Sequence, residues 1–130
     1  MKRIILIATL LSLFSCKKDK NTTAPVSVTG NWRGTLILGT TAVFVNRPDG
    51  TGSFYGLSGV YDTADAALKF HYTYTVTSNI FHATGADTSG DTLTVETSHT
   101  ASDYMSGVIL IANPPLNTTA TYPFDVFKQP

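Results

Sequence analysis

The chain has 130 residues, with nine Lys plus Arg, nine Asp plus Glu and one cysteine. That length fits one domain with one core and leaves no room for a second. From residue 21 onward only Arg33, Arg47, Lys69 and Lys128 are basic, against eight acidic residues; with no basic stripe to displace phosphate counterions, nucleic acid is not an expected partner.

Residues 1–15 begin with Lys2 and Arg3 and continue as an apolar run from Ile4 to Phe14, broken only by Thr9 and Ser12. Such a run spans about 16 Å as a helix, roughly half of a 30 Å hydrocarbon core, so it reads as a secretory signal and not as a membrane span. It ends in Leu13, Phe14, Ser15 and Cys16. This resembles the lipobox of bacterial lipoproteins, which implies a diacylglyceryl thioether on Cys16, cleavage just before it and acylation of the new amino terminus. The implied location is the bacterial cell envelope, on the outer membrane, with the side it faces left open. An unpaired thiol in an exported chain is otherwise unexplained. Residues 17–29 are polar, contain Pro25 and lack apolar periodicity, so they read as a flexible tether from lipidated Cys16 to a domain at 30–130.

Behind Cys16 stand twenty threonines, many interleaved with Val, Ile, Tyr and Phe. β-Branched and aromatic side chains suit a pleated, half-buried surface, so the domain is expected to be all-β. Strands are expected at Trp32 to Leu38, Thr41 to Asn46, Gly52 to Ser58, Leu68 to Thr77, Ile80 to Gly85, Thr92 to Ser98, Tyr104 to Ile111 and Thr119 to Lys128. The clearest is Leu68 to Thr77, where Leu68, Phe70, Tyr72, Tyr74 and Val76 alternate with polar residues, which places the aromatic face inward. Turns are marked by Pro48, Asp49 and Gly50, by Ser78 and Asn79, and by Ser89, Gly90 and Asp91. Asp62 to Ala67 reads as either a helical turn or a wide loop. About eight short sequential strands suit an antiparallel up-and-down barrel, with a two-sheet sandwich as the alternative.

Gly30, Asn31 and Trp32 look like the Gly-x-Trp signature near the start of lipocalins, and avidin-type barrels begin in the same way. Ser102, Asp103 and Tyr104 resemble the Thr-Asp-Tyr signature late in lipocalins. The resemblance implies that Trp32 closes one end of the barrel beneath a basic residue of the last strand, here Lys128.

No cofactor, metal site or catalytic residue is expected. His71, His82 and His99 share no ligand spacing, five of the acids fall in turns, and Glu96 reads as a solvated strand acid. A Gly-x-Ser-x-Gly elbow is missing. The candidate ligand-binding residues are aromatic: Tyr55, Phe70, Tyr72, Tyr74 and Tyr104. Two functions remain. One is non-enzymatic binding of a small apolar or amphipathic ligand, or a glycan, at the barrel mouth. The other is a structural or protein-interaction module of the envelope with a filled core.

Overall fold

A computed structural model describes residues 26–37, 39–58 and 63–130. The signal, Cys16 and most of the tether lie outside the described residues. Eight strands follow one another: β1 (Gly30–Thr35), β2 (Thr40–Asn46), β3 (Thr51–Ser58), β4 (Leu68–Thr77), β5 (Ile80–Ala86), β6 (Thr92–Thr100), β7 (Tyr104–Asn113) and β8 (Thr118–Lys128). Each pairs antiparallel with its neighbour in sequence, and β1 pairs with β8. The result is a closed up-and-down barrel, the first of the two expected architectures. Closure gives every described strand a neighbour on both sides, with β8 meeting β1 over Asp125–Lys128.

The turns follow from local chemistry. Ser78 and Asn79 join β4 to β5 with φ of 51° and 59°, the paired positive φ of a type I′ hairpin, whose twist matches its strands. In the β2–β3 turn Asp49 Oδ1 accepts from the amide and hydroxyl of Thr51 at 2.9 and 2.7 Å. Those bonds, the hydroxyl's foremost, hold the Asp49 carboxyl below its usual range. In the β5–β6 turn Asp87 Oδ1 accepts from the amides of Ser89 and Asp91. The segment that read as helical turn or loop contains a short 3-10 turn, Thr63–Asp65. β1 ends at Thr35, short of the expected Leu38; Leu36 then turns toward β2 through an amide bond to the Thr40 carbonyl.

Period two decides what fills the barrel. Along β4, Phe70 and Tyr72 are buried and Tyr74 and Val76 half-buried, while Lys69, His71, Thr73, Thr75 and Thr77 are exposed. The same alternation sends Trp32, Phe44, Phe54, Phe81, Val95, Ile109 and Phe124 inward to full or nearly full burial. An eight-stranded barrel is only just wide enough for its own side chains. Phe44 lies near the middle of this packing. Its ring centroid is 5.1 Å from those of Phe54 and Phe124, 6.3 Å from that of Tyr72 and 6.4 Å from that of Phe81. Contacts from β2 to β5 and β8 cross the lumen, so the rings close it.

Glycine makes room at two points in one cross-strand row, Gly52–Tyr72–Gly85. A Cβ on Gly85 would lie 2.0 Å from the His71 carbonyl oxygen, so β4 and β5 approach this closely only without a side chain there. At Gly52 a Cβ would meet the Tyr72 ring at 2.2 Å; the tyrosine occupies the space the glycine leaves.

Candidate functional site

Three regions carry polar or aromatic groups in an organised way. The first is the end of the barrel where the chain enters. Val28, which the sequence places in the tether, is buried two residues before β1. Its carbonyl accepts from Trp32 Nε1 at 2.8 Å and from Asn46 Nδ2 at 2.9 Å. Asn46 Oδ1 in turn accepts from the Tyr72 hydroxyl. Tyr74 donates to the Arg47 carbonyl at 2.5 Å. Lys128 Nζ lies 5.7 Å from the centre of the Trp32 ring, a cation over a π face. Among the described residues every buried side-chain nitrogen and oxygen has a partner. Burial, aided by nearby Tyr74, pushes the Tyr72 phenol well above its usual range, so it stays a donor to Asn46.

These contacts plug the end and use up the groups that would orient a ligand there. Of the five candidate ligand residues, Phe70 and Tyr72 belong to the packed core and Tyr74 is fastened at the plugged end. Tyr55 pairs with Val43 and Lys69, on the outward-facing set of β3. Tyr104 lies beside Phe127, also outward, on the other side of the barrel. The five do not converge on one cavity.

The second region is a groove of about 400 Å³ on the outer wall, lined by Arg47, Thr51, His71, Thr73 and Thr84 among others. Beneath it Ser53 Oγ lies 3.1 Å from His71 Nδ1 and 3.5 Å from Arg47 Nη2. A serine beside a histidine invites comparison with a nucleophile and its base. Ser53, however, has no exposed surface, so a substrate cannot reach it. The pair is a structural contact that fixes the His71 ring.

The third region is a row of rings outside β6, β7 and β8. Phe127 is 56% exposed, and its ring centroid is 5.0 Å from that of Tyr104. The His99 ring lies 5.7 Å beyond Tyr104. Tyr104 is held by a 2.5 Å hydrogen bond from its hydroxyl to Asp125 Oδ1. The loop beneath is secured on both sides, by Ala101 N to Tyr104 O and by Lys128 N to Asp103 O. His99 reaches this row because of a bulge. The register of β6 on β7 shifts between Thr97 and His99, leaving Ser98 as the extra residue. Thr97 faces inward; uninterrupted alternation would send His99 inward as well. With the bulge, buried Thr100 takes the inner position and meets Thr97 Oγ1 at 2.6 Å, and His99 turns outward.

The three histidines sit on three strands, and among the described residues no three His, Cys, Asp or Glu side chains gather as a metal site. His82 Nδ1 and Glu96 Oε2 face each other at 3.8 Å on the exposed wall, where such a pair contributes little. Residues that sequence reading passed over are Val28, Asn46, Asp125 and Phe81. Phe81 had a usable signal, since it alternates with His82 in an expected strand. The others depend on cross-strand neighbours that no local pattern announces. Comparison of the chain with protein-family models, with curated proteins and with solved structures gives no match.

Proposed function

We propose that the chain is a lipid-anchored protein of a bacterial cell envelope that acts through the outer wall of its barrel, as a non-enzymatic interaction module. The observation that carries this reading is the filled lumen: Phe44, Phe54, Phe81 and Phe124 meet across the axis, where a ligand-carrying barrel needs space. The anchor rests on the signal and on Leu13 to Cys16. A plugged end and a closed barrel wall suit a platform that presents side chains from its strands.

Metabolic labelling with a fatty acid tests the anchor: label is expected on the full chain and lost in Cys16→Ala. A photoreactive amino acid at Thr73, on the exposed wall, tests the platform in intact cells. A defined adduct with another envelope component is expected. Recovery of monomer alone contradicts the interaction reading, and retention of label in Cys16→Ala contradicts the anchor.

A further inference from the structure

We infer that the ring row His99–Tyr104–Phe127 is a binding site for a neutral oligosaccharide. This deepens the outer-wall reading by naming a ligand class for one face of that wall.

His99 and Phe127 are exposed and Tyr104 between them is half-buried, and this row is held in place by separate devices. The Ser98 bulge turns His99 outward, and Asp125 fixes the Tyr104 hydroxyl. The rings follow one another at 5.7 and 5.0 Å and are tilted by 43° and 44°. That makes a twisted strip about two rings' spacing long, the scale of a pair of sugar units. A pyranose offers an apolar face of C–H groups that complements the negative face of an aromatic ring. Its rim of hydroxyls needs charged or polar partners beside the rings. Asp125 lies there, and a carboxylate has acceptor capacity beyond the one bond it takes from Tyr104.

A membrane surface is the competing occupant of exposed rings. Asp125 is hydrogen-bonded into the row and Asp103 precedes Tyr104, and a carboxylate loses hydration at a lipid interface. Sugar hydroxyls instead donate to it.

The test uses the full chain in lipid nanodiscs and four probes, the tetrasaccharides of β-linked glucose, α-linked glucose, β-linked mannose and β-linked N-acetylglucosamine, each at millimolar concentration. Saturation-transfer NMR should show magnetisation passing to the ring C–H protons of at least one. Phe127→Ala should weaken that binding about tenfold or more, equivalent to about 1.4 kcal/mol. His82→Ala, elsewhere on the exposed wall, should leave it unchanged. No transfer to any of the four, or transfer that survives Phe127→Ala, overturns the inference. Flotation of the Cys16→Ser chain with anionic vesicles, dependent on Phe127, overturns it in favour of the membrane. An intact Thr73 adduct alongside absent sugar binding would leave the outer-wall reading standing, so the two failures are distinguishable.

Discussion

Phe44 and Phe127 are the same residue type on strands of the same barrel, and they do opposite things. Inside, Phe44 is surrounded by rings and contributes to stability. Outside, Phe127 is more than half exposed, with its ring beside that of Tyr104. Strand face and burial, not residue type, decide which aromatic rings of this chain are left open to a partner. Tyr72 and Tyr104 repeat the contrast with hydroxyls. One is sealed against Asn46 in the core; the other is fixed by Asp125 beside solvent.

The largest effect belongs to the lumen: Phe44→Ala should cost about 3–5 kcal/mol and lower Tm by about 15 °C or more, read by thermal unfolding. A Tm within a few degrees of the parent would mean that the lumen is not filled as described. Gly85→Ala comes next. Its new methyl meets backbone and not a movable side chain, so a loss of about 1–3 kcal/mol in denaturant unfolding is expected. Tyr72→Phe leaves buried Asn46 Oδ1 without its donor, at a cost of about 1–3 kcal/mol.

Tyr72 also predicts a pH effect. Its folded pKa is raised above the ordinary 10.0, so above pH 10 the unfolded chain releases a proton that the folded chain keeps. Stability therefore falls as pH rises through that range, and Tyr72→Phe should flatten the slope. An unchanged alkaline slope in this variant would contradict the burial of the phenol. The smallest effect is expected on the outer wall. Phe127→Ala should change stability by no more than about 0.5 kcal/mol, as at an ordinary surface position. A large loss there would make the outer ring structural.

The strands were legible because alternation is local. Leu68 to Thr77 declares its inner face residue by residue, and each turn signal named from the sequence joins two observed strands. The candidate residues were less legible, because a site is made of cross-strand neighbours. Tyr55 and Tyr104 are aromatic like Tyr72 but fall on the other face of their strands. The row outside β6 to β8 depends on a one-residue bulge at Ser98, and nothing in Thr97, Ser98 and His99 as a string marks it. Val28 reads as tether because its two partners, Trp32 and Asn46, are brought to it only when β1 and β2 pair.

Native mass spectrometry of the full chain, purified gently from its own host and then denatured, tests whether the barrel's own rings fill the lumen. A barrel filled by its own rings should release no small molecule in stoichiometric amount. A defined apolar passenger at one per chain would contradict the filled lumen and return the function to the interior.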